Sequence, residues 1–171
     1  MSYCTFCRQR PADDVHRLYH DNEYGVPIED DNALFGRLLL EINQAGLSWE
    51  TILKKQDHFY RAYHGYDIRR IARYGQRDRE RLLKDAGIIR NRLKVDAAID
   101  NAQRVIAIQT EYGSFRAWID RHHPRPIEEW VKLFKKTFRF TGGQIVNEFL
   151  LSTGYLPGAH DSDCPQYRAV L

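Results

Sequence analysis

Side chains suited to binding a metal ion lie near both ends of the chain. Cys4 and Cys7 lie near the amino terminus, and His160 and Cys164 lie near the carboxyl terminus with three residues between them. One pair of thiolate or imidazole ligands from each end would complete a tetrahedral zinc site and link two segments that otherwise fray. Spacing alone favours these four residues, although three free cysteines and scattered histidines are the alternative. Two further candidate ligands are His16 and His20.

A single acid among aromatic residues is the second feature that could do chemistry. Tyr19, Tyr24 and Trp49 lie close in sequence to Glu41, which falls near the end of an otherwise apolar helix face. A carboxylate there either faces solvent at the helix edge or points into a pocket, and the residues alone favour solvent. A pocket for a flipped nucleobase would use the same groups, because bases stack on aromatic faces and a carboxylate accepts hydrogen bonds from an exocyclic amine.

Paired glycines near the carboxyl terminus are the third feature. Gly142 and Gly143 follow the apolar turn Phe138–Thr141 and open a helix, so backbone N–H groups there can point outward together and bind one phosphate. Positive charge flanks the pair and suits DNA, although an ordinary turn beside a solvated basic face is the alternative. The flanking basic residues are Lys132, Lys135, Lys136 and Arg139.

The elements that must position these features are helices. Apolar residues recur at helical spacing after Asp30 or Asp31, either of which can cap the helix that carries Glu41. Ser48 can cap the next helix, which is expected to reach Tyr63. No run of residues alternates between apolar and polar in the way that a half-buried strand does, so the predicted fold class is all-α.

Later parts of the chain continue the helical pattern. Asp78 is expected to open one helix, and Ser114 is expected to cap a short one. Longer helices are predicted over residues 90–112, 127–137 and 144–153. A length of 171 residues predicts a single domain, residues 1–171.

Composition places the chain among ordinary globular proteins. Hydrophobic residues make up 43% and charged residues 29%, which argues against disorder. The formal net charge of +3 permits a nucleic-acid partner without requiring one. No apolar run is long enough to cross a membrane, and the first residues have no apolar signal core, so a cytoplasmic location is expected. Three cysteines are too few for a secreted disulfide framework.

Three motifs resemble those of a known family. Residues Tyr19–Pro27 read YHDNEYGVP and resemble the YHDxEWGVP signature of 3-methyladenine DNA glycosylase I, the TAG family of the helix-hairpin-helix DNA glycosylase superfamily. Residues Gln44–Trp49 resemble its QAGLSW motif, and Asp85–Arg92 resemble its DAGIIRHR run. The segments Phe140–Gly142 and Ser152–Gly154, followed by a histidine and a cysteine, resemble the carboxyl end of that family.

The resemblance implies a helix-hairpin-helix glycosylase fold whose two ends are joined by structural zinc. The hairpin motif would occupy about residues 128–153, and the zinc-linked segments would be residues 1–20 and 155–171. The ligands implied by the family differ from those favoured by spacing, since Cys7 becomes an extra thiol and a possible replacement for His20. The implied ligands are Cys4, His20, His160 and Cys164.

The resemblance also implies a reaction, the hydrolysis of the N-glycosidic bond of 3-methyladenine in double-stranded alkylated DNA. Glu41 would be the catalytic acid of the base pocket, assisted by Tyr19, with Trp49 stacking on the base. The implied DNA-binding residues are Gly46, Leu47, Gly142, Gly143 and Gln144. No lysine lies next to the hairpin at a position that the family uses as a nucleophile, so a monofunctional glycosylase is expected, and a monomer.

Several positions depart from the family pattern. Phe6 and Tyr24 stand where the family has tryptophan, and His16 stands where many members have a pocket tyrosine; all three are expected to bind the base. The helix after Gly143 lacks the usual threonine pair and Tyr-Ser pattern. These departures favour a second hypothesis, in which the chain is a glycosylase-like protein that binds DNA or damaged bases and whose catalysis is altered or lost. A zinc-stabilised helical interaction module is a third hypothesis.

Overall fold

The computed structural model describes residues 1–169, so Val170 and Leu171, the last two residues of the predicted domain and of the predicted zinc-linked segment, lie outside the described residues. Every regular element within residues 1–169 is helical, which confirms the predicted all-α class. A single 3₁₀ turn, His64–Tyr66, separates the fifth and sixth helices. The helices are α1 (Tyr3–Arg8), α2 (Val15–Asn22), α3 (Asp31–Gln44), α4 (Trp49–Lys54), α5 (Gln56–Ala62), α6 (Ile68–Ile71), α7 (Gln76–Lys84), α8 (Arg92–Tyr112), α9 (Phe115–His122), α10 (Ile127–Thr137) and α11 (Gly143–Ser152).

Helix α3 lies at the centre of the fold. Asp30 caps it, since its carboxylate accepts a hydrogen bond from the Ala33 N–H at 2.9 Å, as predicted. Every residue from Leu34 to Asn43 is buried, because α4, α5, α8, α9 and α11 pack around this helix. A helix buried on all faces carries any polar residue into the interior, and Glu41 is one of those residues.

Two predicted elements differ from the structure. The helix after Ser48 ends at Lys54, and a new one starts at Gln56, so it does not run unbroken toward Tyr63. Asp78 was expected to open a helix, but Gly75 is the N-cap of α7 and the Asp78 carboxylate accepts a hydrogen bond from the Gly75 N–H at 3.3 Å. Aspartate stabilises a helix amino terminus both at the N-cap and in the first turn, so the residue type alone does not tell the two positions apart.

The two ends of the described chain meet. Helix α1 packs on α2, and the segment after α11 returns to both, with Arg8 paired to Asp163 at 3.3 Å. The Gly25 N–H donates to the Ser152 carbonyl at 2.9 Å, which fixes the signature loop to the end of α11. Within residues 1–169, no helix is both long enough and apolar enough to cross a membrane.

Candidate metal centre and active site

Four side chains from both ends of the chain form a buried cluster. The ligand atoms of the four lie within 4.8 Å of one another, in a part of the chain that is described throughout. Cys4 Sγ lies 3.3 Å from His20 Nε2 and 3.5 Å from His160 Nδ1. Cys164 Sγ lies 3.8 Å from His20 Nε2 and 3.7 Å from His160 Nδ1. The two imidazole nitrogens are 3.2 Å apart.

These distances fit the geometry of a tetrahedral zinc site. Zinc bonds of about 2.3 Å to sulfur and about 2.0–2.1 Å to nitrogen place neighbouring ligands of a tetrahedron about 3.3–3.8 Å apart. Five of the six separations among Cys4, His20, His160 and Cys164 fall between 3.2 and 3.8 Å, and the two sulfurs lie within 4.8 Å of each other. Two thiols and two imidazoles are also the donor set that zinc prefers in structural sites, so the residues present fit the ion.

Neighbouring groups orient the two imidazoles toward the centre of the cluster. His20 Nδ1 lies 2.7 Å from an Asp21 carboxylate oxygen, and His160 Nε2 donates to the Tyr24 carbonyl at 2.7 Å. The remaining nitrogen of each ring therefore points into the cluster with a lone pair available. Burial raises the pKa of the Cys4 thiol to about 11, so its thiolate form requires a cation close by.

Cys7 lies outside this cluster, which corrects the ligand set favoured by spacing. Its Sγ donates to the His16 carbonyl at 3.6 Å, and the side chain is fully buried. His20 takes the fourth place instead, because α2 turns back over α1 and brings that imidazole beside Cys4. The spacing of ligands along the sequence carries no information about the packing of α2 on α1, so spacing alone could not identify His20.

A pocket of about 340 Å³ lies beside the cluster. It brings together the acid and the three aromatic residues that the sequence singled out, Tyr19, Tyr24, Glu41 and Trp49. Sequence reasoning missed three of the lining residues and assigned Gln144 to DNA contact only. The full lining consists of Tyr3, Tyr19, Tyr24, Glu41, Gln44, Trp49, Gln144 and Glu148.

Glu41 is buried at the base of this pocket. Glu41 is 3% exposed, and its carboxylate forms no hydrogen bond within residues 1–169. Burial raises the pKa of Glu41 to about 8, a shift that the Arg37 guanidinium opposes and Glu148 reinforces. The residues alone favoured a Glu41 carboxylate that faces solvent at the end of its helix. That prediction is wrong, because α11 covers this end of α3. An unpartnered buried carboxyl that lines a cavity is ready to bind a ligand.

Arg37 fixes the orientation of Tyr19. This buried guanidinium donates to the Tyr19 hydroxyl and to the Ser152 carbonyl, each at 3.3 Å, and pairs with Glu23 at 3.2 Å. A guanidinium has no acceptor, so the Tyr19 oxygen accepts from Arg37 and its own O–H is left to donate elsewhere. Tyr19 lines the pocket, and the Ser152 side chain also lies beside its hydroxyl.

Aromatic rings form the walls of the pocket. The Tyr19 and Trp49 rings meet edge to face with centroids 5.4 Å apart, and the Tyr3 and Tyr24 rings do so at 5.2 Å. Trp49 is half-buried, so one face remains open to the cavity. Such surfaces bind planar, cationic rings well.

Phe6 and His16, which were expected to bind the base, are not among the residues that line the pocket. The Arg10 guanidinium lies 4.1 Å from the centroid of the Phe6 ring and covers it. His16 Nδ1 lies 3.0 Å from the Tyr3 hydroxyl, behind the pocket wall. Tyr3 lines the cavity instead, and its position next to a cysteine ligand was the only sequence signal for it.

A second cleft of about 350 Å³ joins the two segments that were expected to bind DNA. Residues Gln44–Leu47 form one wall, and residues Gly142–Ile145 form the other. Gln44 and Gln144 also line the first pocket, so the two cavities lie side by side. The buried Lys94 ammonium holds the loop by donating to the Asn43 and Ala45 carbonyls at 2.8 and 2.7 Å.

The turn between α10 and α11 is held firmly, yet its glycines are open. Asn101 both donates to the Arg139 carbonyl at 3.0 Å and accepts from the Arg139 N–H at 2.8 Å. A Cβ at Gly142 would meet nothing within 4 Å, and one at Gly143 would meet only Val131, at 3.8 Å. Neither glycine has a positive φ, so neither packing nor backbone conformation requires glycine here. Their lack of a side chain leaves the first N–H groups of α11 accessible from the cleft.

Comparison with known proteins agrees with the resemblance that the sequence motifs indicated. A family model described as methyladenine glycosylase matches residues 9–132. DNA-3-methyladenine glycosylase 1 of Escherichia coli is 33% identical over an alignment that covers 90% of this chain and 91% of that protein. DNA-3-methyladenine glycosylase of Haemophilus influenzae is 34% identical, with 94% and 97% covered.

Solved structures give the same result for the fold. A variant of 3-methyladenine DNA glycosylase I in complex with 3-methyladenine superimposes with a TM-score of 0.87 at 30% identity, over 100% of both chains. The 3-methyladenine DNA glycosylase I of Staphylococcus aureus gives a TM-score of 0.84 at 29% identity, over 96% of this chain and 97% of the other.

The helical fold that carries this pocket and cleft is the fold of solved DNA glycosylases, with which the chain superimposes over its full length. Within that class, the chain belongs to the methyladenine glycosylase family.

Proposed function

We propose that this protein is a DNA-3-methyladenine glycosylase that removes the alkylated base from DNA by hydrolysis, the first step of base excision repair. The observation that carries the proposal is Glu41, a buried carboxyl without a hydrogen-bond partner in the described chain, set in an aromatic pocket. The curated relatives bear the name of this activity, and one solved relative holds 3-methyladenine.

The chemistry of the substrate explains what the pocket must do. Alkylation at N3 gives the base a positive charge, so the base is already a good leaving group and departs neutral when the glycosidic bond breaks. The enzyme needs to extrude the nucleotide, hold the cationic base and admit a water that adds to the sugar carbon. None of the eight residues that line the pocket is a lysine, which supports hydrolysis rather than a Schiff-base reaction.

The pocket residues divide these tasks. The Glu41 carboxylate accepts hydrogen bonds from the cationic base and offsets its charge, and the Tyr19 O–H donates to an acceptor on the base edge. Trp49 and the pocket tyrosines stack on the ring by cation–π contact. The carboxylate contact and the cation–π contact are both stronger with the cationic base than with a neutral one, so these two interactions favour the alkylated lesion.

The adjoining cleft would hold the duplex while the base is extruded. Leu47 is 40% exposed at the tip of its loop and is suited to fill the gap that the base leaves. The open N–H groups at Gly142 and Gly143 would bind a phosphate, and Gln144 lies where the phosphate site meets the base pocket. Double-stranded alkylated DNA is therefore the partner that the site fits best.

We also propose that zinc occupies the cluster of Cys4, His20, His160 and Cys164. Four protein ligands leave no position for water, so the ion would be structural and would supply no step of the reaction. Its place in the fold gives it an indirect role, because Tyr3 precedes one ligand and the Tyr24 carbonyl accepts from another. Both tyrosines line the base pocket, so zinc would hold that wall in place.

Incubation with methylated duplex DNA tests the proposed function directly. The purified protein should release free 3-methyladenine and leave abasic sites without cutting the strand. Chromatographic identification of the released bases, with unmethylated DNA of the same sequence as control, measures this. Tight binding to methylated DNA with no base released would instead support the glycosylase-like binding protein.

A further inference from the structure

Lys94 is a buried cation beneath the loop that faces the duplex. It lies in the first turn of α8 and is 4% exposed. Within residues 1–169, no carboxylate forms a salt bridge with its ammonium. An ammonium buried without an acid destabilises a fold unless other groups compensate for it, and burial lowers the pKa of Lys94 for the same reason. The groups that it binds must therefore explain its position.

The partners of this ammonium are two carbonyls at the end of α3. Lys94 donates to the Asn43 carbonyl at 2.8 Å and to the Ala45 carbonyl at 2.7 Å. Asn43 lies in the last turn of α3, and Ala45 is its C-cap. The last carbonyls of a helix have no partner inside the helix and carry partial negative charge, so a cation stabilises them. Lys94 thus fixes the point at which the chain leaves α3.

The residues that follow form a closed turn. The Leu47 N–H donates to the Gln44 carbonyl at 2.7 Å, and the Gln44 side-chain amide donates to the Leu47 carbonyl at 3.1 Å. Gly46 has a φ of 79°, the left-handed conformation that glycine adopts most easily. Ser48 ends the loop by capping α4. Bonds within the chain therefore define the turn, and they leave Leu47 exposed at its tip.

We propose that Lys94 is a positioning residue for base extrusion, whose ammonium holds the loop Gln44–Leu47 in the conformation that presents Leu47 to the gap left by the base. This inference rests on the proposed function and extends it, because Lys94 lines neither the base pocket nor the adjoining cleft. A loop that is already ordered loses little conformational freedom when Leu47 enters the duplex. A loose loop would present Leu47 only part of the time and would bind the gap more weakly.

Two duplexes of the same sequence separate the insertion of Leu47 from general binding to DNA. One duplex is intact, and the other carries a tetrahydrofuran abasic analogue in place of one nucleotide. Fluorescence anisotropy at fixed salt gives the Kd of the full-length protein for each. The Kd for the intact duplex divided by the Kd for the abasic duplex is the gap preference. Leu47→Ala should lower the gap preference, because the apolar side chain that fills the gap is lost.

Lys94→Met removes the ammonium and keeps an apolar side chain of similar length. We expect it to lower the gap preference about five- to ten-fold, because the loop loses a charged anchor. Binding of free 3-methyladenine, measured by tryptophan fluorescence, should stay as in the wild type, since the base pocket does not contain Lys94. Normal binding of the free base also shows that the variant is folded.

A control and a milder variant accompany this change. Arg69→Met also removes one positive charge, but Arg69 is exposed beside Asp30 and Asp31 at the opposite end of α3, so the gap preference should not change. Lys94→Gln keeps an amide that can donate to the free carbonyls, and it should lower the gap preference less than Lys94→Met does. A failure of Lys94→Met to fold would leave Lys94→Gln to decide the test.

A double variant shows whether Lys94 acts through the loop. In the Leu47→Ala background, Lys94→Met should lower the gap preference little further, because the side chain that it positions is already absent. Independent, additive losses would overturn the inference. So would a wild-type gap preference in folded Lys94→Met and Lys94→Gln, or equal affinity of the wild type for the two duplexes.

The proposed function is tested separately from this inference. Each of the outcomes that overturn the role of Lys94 leaves the function standing when the wild type releases 3-methyladenine from methylated DNA. Failure of the wild type to release any base would overturn the proposed function and, with it, a role of Lys94 in base extrusion.

Discussion

A carboxyl that is buried without a partner weakens the fold that contains it, and Glu41 is such a group. Its pKa is raised from 4.5 to about 8, so the folded protein binds this proton more tightly than the unfolded chain does. Nothing in the packing of α3 needs an acid at this position, because its neighbours are apolar core residues. Glu41 is best explained by the bound state, in which a cationic base becomes its partner.

Stability should therefore depend on pH through Glu41. The folded pKa lies above the unfolded value, so the contribution is fully present below about 4.5 and is lost as pH rises toward about 8. Over that window the free energy of unfolding should fall by up to about 5 kcal/mol, and Glu41→Gln should abolish this fall. Urea unfolding of both proteins across the window measures it. Parallel stability curves would show that the carboxyl is not desolvated.

Activity should show the opposite dependence on pH. Since the ionised carboxylate is the form that holds a cationic base, kcat/KM for base release should rise with pH and level off above about 8. The Glu41→Gln variant should lose this inflection. A wild-type profile that is flat between pH 6 and pH 9 would assign the recognition of the base to groups that do not titrate.

At the scale of elements, the glycines at the amino terminus of α11 are not required by the fold, because neither packing nor backbone conformation needs glycine there. Gly143 occupies the first position of α11, where alanine is at least as good a helix former as glycine, and the space beside it is open. Gly143→Ala should thus fold at least as stably as the wild type. It should nevertheless bind duplex DNA several-fold more weakly, because a methyl group would cover the N–H groups that face the phosphate.

Gly75→Ala provides the matched control, since Gly75 is also an open glycine at a helix amino terminus but lies on α7, away from the cleft. Fluorescence anisotropy with an undamaged duplex at fixed salt compares the three proteins. Equal affinities would place the phosphate site on another element.

Local capping signals correctly predicted where three of the helices begin, and they failed at α7, where an aspartate in the first turn was taken for the N-cap. Asp30, Ser48 and Ser114 each cap a helix as expected, because a capping side chain acts within three residues. Pocket residues were harder to predict. Tyr3 and Glu148 come from opposite ends of the chain, and only the packing of α1 on α2 and of α11 on α3 brings them to one cavity.

At the scale of the whole molecule, the cluster of cysteines and histidines joins the chain ends to the base pocket. Spacing predicted that the ends would meet but chose Cys7, since the closeness of His20 to Cys4 arises from the pairing of α1 with α2. The resemblance to the family, in contrast, placed His20 in the set directly. The coupling of this cluster to the pocket wall through Tyr3 and Tyr24 is visible only in three dimensions.

Loss of one ligand should therefore affect both metal content and stability. Cys164→Ala should reduce bound zinc from about one ion per chain and lower the free energy of unfolding by several kcal/mol, because metal binding is coupled to folding. Cys7→Ala, which removes an equally buried thiol outside the cluster, should retain the metal and lose only packing energy. Elemental analysis and urea unfolding measure the two effects. Equal metal loss in both variants would refute the assigned ligand set.

The most direct test of the account is single-turnover release of 3-methyladenine by the wild type and by Glu41→Gln. Loss of a charged hydrogen bond worth about 1.5–3 kcal/mol should slow release by roughly ten- to a hundred-fold or more. Metal content and affinity for undamaged duplex should stay as in the wild type, because neither uses the pocket. An active wild type matched in rate by Glu41→Gln would contradict the central claim that this buried carboxylate holds the cationic base.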